Sequence, residues 1–157
     1  MENHLTLRHA RVTDAPAIKK LIDDCAAKDQ MLPRSLADIY SRVREFWIVE
    51  HPDRGTVGCA ALRVVWEDLG ELRSLAVLPE FQSLGLGKKL TQAALDEAER
   101  LGLPKVLALT YVPDFFRKMG FSDIPKEKLP HKVWSDCVNC PKFPTCDEVA
   151  LIYELKL

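Results

Sequence analysis

The chain has 157 residues, of which 47% are hydrophobic and 29% are charged, and its formal net charge at pH 7 is −1. This size and balance predict one compact globular domain over residues 1–157. Because no long run of Lys or Arg is present, we expect no binding to nucleic acid or to an anionic membrane. No apolar stretch is long enough to cross a bilayer and no signal-peptide pattern opens the chain, so we expect a cytoplasmic protein.

The predicted elements begin with a strand at residues 5–8 and a helix capped by Thr13 or Asp14. The apolar face of that helix comprises Ile18, Leu21, Ile22 and Cys25. A second helix follows its N-cap, Ser35, and carries an apolar stripe of Leu36, Ile39, Tyr40 and Val43. Strands at residues 46–50, 57–66 and 70–78 come next, with a turn at residues 51–55, and their short connections predict an antiparallel meander.

The second half of the chain predicts a strand-helix-strand unit. An amphipathic helix runs from Lys88 to a stop signal at Gly102, and its apolar stripe comprises Leu90, Ala94, Ala98 and Leu101. A strand at residues 105–111 follows, and strands joined by such a helix form a parallel pair. A short helix at residues 114–119 then ends at Gly120, and residues 149–155 alternate as a final strand.

The loop Gln82-Ser83-Leu84-Gly85-Leu86-Gly87 lies between the third meander strand and the amphipathic helix. Its two glycines allow several backbone N–H groups to converge on a phosphate at the positive end of that helix. A P-loop would need Ser or Thr after its Lys, and a dinucleotide fingerprint would need a third glycine where Leu90 stands. The loop therefore predicts a site for an anionic cofactor of another kind.

The pattern Gln-x-x-Gly-x-Gly after Leu75-Ala76-Val77-x-Pro79 resembles the acetyl-coenzyme A loop of the GNAT acetyltransferases. The element order, the segment at residues 115–121 and the opening Leu7-Arg8-x-Ala10-x-x-x-Asp14 resemble the same family. The resemblance implies a single-domain GNAT fold of the α/β (α+β) class. Its twisted sheet would be mixed but mostly antiparallel, with helices on both faces and a splay between strands 4 and 5. It also implies acetyl-CoA as cosubstrate, bound by Leu75, Ala76, Val77, Gln82, Ser83, Leu84, Gly85, Leu86, Gly87 and Lys88.

Three further segments, around Arg34, around Arg73 and at residues 129–148, resemble small stand-alone relatives of the catalytic domain of N-acetylglutamate synthase. This resemblance implies transfer of acetyl to the α-amine of an amino acid, glutamate first, and a role in arginine biosynthesis. The α-carboxylate of such an acceptor needs a cation, for which Arg34, Arg73 and Lys132 are the candidates. Another small amine, a protein N-terminus or a non-catalytic acyl-CoA-binding module remain alternatives.

Two residues are candidates for proton transfer. Glu71 begins the strand that ends at the cofactor, where some GNAT members carry a general base; the alternative is an exposed carboxylate at a strand edge. The tyrosine that many members use as a proton donor is replaced by Phe116, so Tyr111 is the candidate acid. A thiol with a pKa of about 8.5 is also a tolerable leaving group without an acid.

The five cysteines form two groups. Cys137, Cys140 and Cys146 lie in a loop at about residues 122–148, where they could bind zinc with His131 as the preferred fourth ligand and Asp136 or Asp147 as substitutes. Redox-active thiols or buried small side chains are the other interpretations. Cys25 and Cys59 fall on apolar faces, which predicts core positions. The sequence is also compatible with a homodimer.

Overall fold

The computed structural model describes residues 4–27, 33–129 and 148–155. Within these ranges the strands are β1 (Thr6–His9), β2 (Phe46–His51), β3 (Gly55–Trp66), β4 (Leu69–Val77), β5 (Lys105–Thr110), β6 (Ser122–Asp123) and β7 (Val149–Glu154). The helices are α1 (Ala15–Ala27), α2 (Leu36–Ser41), α3 (Leu86–Leu101) and α4 (Pro113–Lys118). Short 3-10 turns occupy Val12–Asp14, Val43–Glu45, Pro79–Leu84 and Lys126–Lys128.

The chain forms two compact units. The first comprises Met1–Leu62 and Leu72–Glu97, and the second comprises Arg63–Glu71 and Ala98–Leu157. Because β3 and β4 contribute to both units, the strand order is β1-β2-β3-β4 in the first and β3-β4-β5-β7-β6 in the second. The pairs β1–β2, β2–β3, β5–β7 and β6–β7 are antiparallel. The helical connection α3 joins the neighbouring strands β4 and β5, as predicted; the splay between them remains a prediction.

The core of the first unit confirms the predicted face of α1. Ile18, Leu21, Ile22 and Cys25 are buried there together with Ile39, Phe46, Ile48 and Cys59. The predicted stripe of α2 is wrong at Leu36 and Tyr40, which are exposed, because this helix has only six residues and turns just one of them, Ile39, fully into the core. Leu101 is also exposed, at 55%, since it is the last residue of α3 and lies beyond the packed turns.

Helix starts differ from the prediction at two places. The chain enters α1 through the 3-10 turn Val12–Asp14, so neither Thr13 nor Asp14 is an N-cap. The side chain of Asp14 instead accepts from the backbone N–H of Arg11 at 2.7 Å. The predicted N-cap of α2 is confirmed, because Ser35 Oγ accepts from the N–H of Asp38 at 3.0 Å. Helix α3 begins at Leu86, two residues earlier than predicted.

The second unit has its own apolar cluster, which comprises Leu69, Leu107, Leu129 and Ala150. On α4, the ring of Phe116 lies 5.0 Å from that of Phe115 and 5.2 Å from that of Phe121, both edge-on. In the part of the chain that the structure describes, no helix combines the length and apolar character needed to cross a membrane.

Candidate functional site

The predicted phosphate loop is a 3-10 turn followed by a single left-handed residue. Pro79 occupies the first turn of Pro79–Leu84, where its fixed φ suits a helix start. Gly85 then adopts φ 74° and ψ 19°, a conformation that favours glycine, and a Cβ placed on it would meet nothing within 4 Å. The backbone therefore changes direction at Gly85 beside open space and enters α3.

The first turn of α3 presents N–H groups at this bend. The first intrahelical bond runs from the N–H of Lys89 to the carbonyl of Gly85 at 3.1 Å, so the N–H groups of Leu86, Gly87 and Lys88 precede the ladder. The side chain of Leu86 is buried and anchors the turn, whereas Lys88 and Lys89 are exposed. Backbone donors, the helix dipole and two cations together form a site that fits a phosphate group.

The loop is tied to the end of β4. Gln82 Nε2 donates to the carbonyl oxygen of Val77 at 3.1 Å, so this side chain holds the loop against the strand. Ala76 and Val77 are buried and Leu75 is half-buried. What the strand end can offer to a bound molecule is therefore mainly its backbone.

Arg34 is a buried cation in the first unit, only 6% exposed. Its Nε donates to Asp38 Oδ2 at 2.7 Å, its Nη1 donates to Ser74 Oγ at 3.2 Å, and its guanidinium lies 5.0 Å from the centre of the Phe46 ring. Its Nη2 is buried and meets no hydrogen-bond acceptor among the described residues. Ser74, which receives one of these bonds, has a φ of 57°, a backbone conformation that costs free energy for a residue other than glycine.

Three more charged residues extend this group. Arg42 donates from Nε to Asp38 Oδ1 at 3.2 Å and from Nη1 to Glu45 Oε2 at 3.3 Å. Burial raises the pKa of Glu45, although the positive charges of Arg42, Arg34 and Arg73 act in the opposite direction. Arg73 is half-buried, and its charge also lowers the pKa of Asp38. The structure thus groups two of the predicted acceptor cations, Arg34 and Arg73, around the same carboxylates.

Glu71 lies in the second unit and is buried, so the alternative of an exposed carboxylate is wrong. Its Oε1 accepts a hydrogen bond of 2.7 Å from Arg63 Nη2. Both residues lie on the hairpin formed by β3 and β4. The ion pair fixes the orientation of the carboxylate that we predict as the general base.

Comparison with known proteins identifies the family of this chain. The sequence profile of the acetyltransferase (GNAT) family matches residues 15–121. The chain belongs to the GNAT family. It is 38% identical over 149 residues to an uncharacterised N-acetyltransferase of Chlorobaculum tepidum, covering 95% of this chain and 96% of that protein. It is also 40% identical over 132 residues to the amino-acid acetyltransferase of Mycobacterium tuberculosis, covering 83% of this chain and 75% of that one.

A solved structure agrees with this assignment. The N-acetylglutamate synthase of Neisseria gonorrhoeae, complexed with coenzyme A and N-acetyl-glutamate, superposes with a TM-score of 0.87 and 29% sequence identity. The match covers 98% of this chain and 35% of that protein, so this chain spans about a third of its length. The predicted GNAT fold class and acyltransferase activity are confirmed.

Position 116 of this GNAT chain has no proton to donate. Phe116 is buried in its aromatic cluster, and Tyr111, the substitute predicted as acid, is half-buried just after β5.

Cys59 is a core residue, as predicted, and burial raises the pKa of its thiol to about 12. A thiol that stays protonated is a poor nucleophile, which argues against a covalent acyl-enzyme on Cys59.

Several predicted residues lie outside the described ranges: Lys132, His131, Cys137, Cys140 and Cys146. Among the residues that are described, no group of three His, Cys, Asp or Glu side chains is placed to hold a metal ion. Zinc binding by the cysteine loop therefore remains a prediction.

Sequence reasoning missed Asp38, Arg42 and Glu45. The signal was the spacing Arg34-x3-Asp38-x3-Arg42, because a one-turn helix between two flanking arginines brings both close to an acidic residue four positions away. Ser74 was missed because a left-handed conformation in the middle of a strand has no sequence signal when the residue is a serine. Arg63 was missed because its pairing with Glu71 depends on the register of the β3–β4 hairpin.

Proposed function

We propose that this GNAT enzyme transfers acetyl from acetyl-CoA to the α-amine of an amino acid, with L-glutamate as the first candidate. The observation that carries the proposal is Arg34, a buried guanidinium whose Nη2 has no acceptor among the described residues. A buried donor without a partner costs about 1–3 kcal/mol, which a carboxylate ligand would recover. Similarity to an amino-acid acetyltransferase and to N-acetylglutamate synthase supports the same acceptor class.

In this proposal Arg34 binds the α-carboxylate of the acceptor. Its Nε and Nη1 are held by Asp38 and Ser74, so the fork has a single orientation before the acceptor arrives. Such preorganisation reduces the entropy lost on binding. Arg73 and Lys132 are the proposed cations for the second carboxylate that distinguishes glutamate from most other amino acids.

Glu71 is the proposed general base, acting directly or through a water molecule. An α-ammonium group must lose a proton before its nitrogen can attack the thioester carbonyl. The attack then takes place in a ternary complex, and the thiolate of coenzyme A departs. Tyr111 is the proposed donor of a proton to that sulfur.

The loop at Gly85 and Gly87 is the proposed pyrophosphate site. Its fit rests on the left-handed Gly85 beside open space and on the first-turn N–H groups of α3. The backbone of Leu75, Ala76 and Val77 would bind the pantetheine arm. We further propose that the enzyme acts in the cytoplasm, in arginine biosynthesis, and as a homodimer; light scattering measures the last of these.

The deciding experiment is an acetyl-CoA turnover screen across the twenty amino acids, polyamines and a peptide with a free N-terminus. We expect turnover of α-amino acids, highest with L-glutamate, and little with amines that lack an α-carboxylate. Preferred turnover of polyamines or of the peptide would refute the amino-acid proposal. Binding of acetyl-CoA without turnover of any amine would indicate a binding module.

A further inference from the structure

Four side chains in the first unit form a continuous series of ion pairs: Arg34, Asp38, Arg42 and Glu45. Asp38 accepts from Arg34 Nε through Oδ2 and from Arg42 Nε through Oδ1, at 2.7 and 3.2 Å. Arg42 then donates from Nη1 to Glu45 Oε2 at 3.3 Å. Serial pairing of this kind holds the two ends, Arg34 and Glu45, in a defined arrangement.

Each end carries one buried atom with unused hydrogen-bonding capacity. At one end Arg34 Nη2 is a donor, and at the other Glu45 Oε1 is an acceptor; neither has a partner in the described part of the chain. Native proteins leave few buried polar atoms unpaired, and such atoms occur at sites that bind ligands. A donor at one end and an acceptor at the other suit a ligand that brings both an acceptor and a donor.

We infer that Glu45 binds the α-ammonium group of an amino-acid acceptor whose α-carboxylate binds Arg34. The inference rests on the proposed function and adds a second point of recognition to it. The α-carboxylate accepts from Arg34 Nη2, and the ammonium group donates to Glu45 Oε1. Glu45 is then an acceptor-binding residue that selects zwitterionic α-amino acids over carboxylates without an amine.

Glu45 can reach such a ligand. Its side chain keeps 23% of its surface exposed, and the terminal torsion of a glutamate is soft, so the carboxylate can turn toward a ligand. An ammonium group has three N–H donors. One bond to Glu45 therefore leaves two N–H groups, and the proposed general base must still remove a proton before the nitrogen attacks.

The charges around Glu45 are mixed in sign. Arg42, Arg34 and Arg73 are the positive groups that act on Glu45, and Asp38 lies between the first two. Burial raises the pKa of Glu45, so its charge is lost at a higher pH than that of an ordinary glutamate. Acceptor binding should consequently weaken in mild acid, as Glu45 becomes protonated.

The test compares two ligands and two proteins. L-Glutamate and glutarate differ only in the α-ammonium group, and Glu45→Gln keeps the shape of the side chain and an oxygen for Arg42 while it removes the charge. We expect Glu45→Gln to weaken glutamate binding roughly tenfold or more, as for the loss of a hydrogen bond to a charged group, with a smaller change in kcat than in KM. Glutarate binding should stay equal or become tighter, because a negative charge near the arginines is gone.

Equal effects on both ligands, or unchanged glutamate binding in a folded Glu45→Gln protein, would overturn the inference. Glu50→Gln is the matched control, since it removes a partly exposed carboxylate 3.5 Å from Arg8 and should change neither ligand. If another amino acid has the highest turnover in the screen, the test uses that amino acid and its analogue without the α-amine in place of L-glutamate and glutarate. Absence of turnover and of binding for every α-amino acid in the wild-type protein would instead refute the proposed function and, with it, this inference.

Discussion

Arg63 Nη2 donates a hydrogen bond of 2.7 Å to Glu71 Oε1, and the two side chains are only 10% and 8% exposed. A buried ion pair contributes little net stability over an apolar pair, but removing one partner strands the other charge and costs about 3–5 kcal/mol. Variants of Glu71 therefore need a substitute that still accepts from Arg63, so that effects on catalysis are not confused with unfolding.

Glu71→Gln satisfies that condition, because its amide oxygen can accept from Arg63 while it cannot take up a proton. We expect turnover to fall by roughly 10²-fold or more, with a smaller effect on KM, as for the loss of a general base. Steady-state kinetics over a pH series measures this, and acetyl-CoA binding checks the fold. Full turnover at pH values where the acceptor amine is protonated would show that another group removes the proton.

Arg34→Ala should raise the KM for the amino-acid acceptor by roughly tenfold or more while kcat changes less, because a binding contact is lost. Arg34→Lys is the matched variant: it keeps the positive charge but not the planar fork, so it should recover only part of the affinity. Kinetics with the best acceptor of the screen, together with thermal unfolding, measures both. An unchanged KM for the acceptor in a folded Arg34→Ala protein would show that Arg34 does not bind the acceptor.

Gly87→Glu should abolish detectable acetyl-CoA binding while the fold persists. The new carboxylate would lie in the first turn of α3, against the position proposed for the pyrophosphate. Isothermal titration calorimetry measures the affinity. Gln92→Glu, which adds the same charge on the exposed face of that helix, is the control and should bind acetyl-CoA normally. Equal acetyl-CoA affinity of the two variants would show that the pyrophosphate binds elsewhere.

Asp14 should make the fold sensitive to acid. Its hydrogen bonds from Arg8 hold the pKa of this carboxyl below its usual range, and burial opposes that effect. Because the folded-state pKa lies below the unfolded value of about 3.9, the stabilisation is complete above that pH and disappears as the pH falls through the folded-state pKa.

Asp14→Asn should therefore lower the free energy of unfolding at pH 7 by about 1.5–3 kcal/mol, the range for a hydrogen bond to a charged group. The variant should also lose less stability than the wild type between pH 5 and pH 2, a window that brackets about 3.9. Urea denaturation at several pH values measures both effects. Parallel curves for the two proteins would mean that Asp14 has the same pKa folded and unfolded.

The zinc prediction concerns Cys137, Cys140, Cys146 and His131. We expect protein purified without chelator to hold about one zinc ion per chain, since structural sites take four ligands. Cys140→Ser should lose the metal, whereas Cys25→Ser, which alters a core cysteine, should retain it. Elemental analysis measures the metal content; far less than one equivalent in the wild type would leave packing or redox chemistry as the role of these thiols.

Local sequence signals were sufficient for most of the fold. The apolar face of α1, the N-cap at Ser35 and the stop at Gly102 depend on residues a few positions apart, so the sequence predicts them correctly. The turn at residues 79–85 and the helix after it are likewise contiguous in sequence and were predicted, whereas phosphate binding by this loop stays a prediction. Its helix start was predicted two residues late, because Leu86 supplies a buried anchor that the pattern of α3 does not require.

The sequence by itself determined the family, and it predicted the cofactor loop and the candidate cations, because each depends on a contiguous pattern or on residue type. Only the tertiary structure decided which polar side chains meet: Glu71 with Arg63 across the β3–β4 hairpin, and Arg34 with Ser74 forty residues away. These contacts depend on strand register and on a left-handed serine, which no local propensity encodes. Burial was likewise a tertiary outcome. It left Arg34 Nη2 and Glu45 Oε1 without partners among the described residues, because packing removes water from atoms whose hydrogen bonds the chain does not supply.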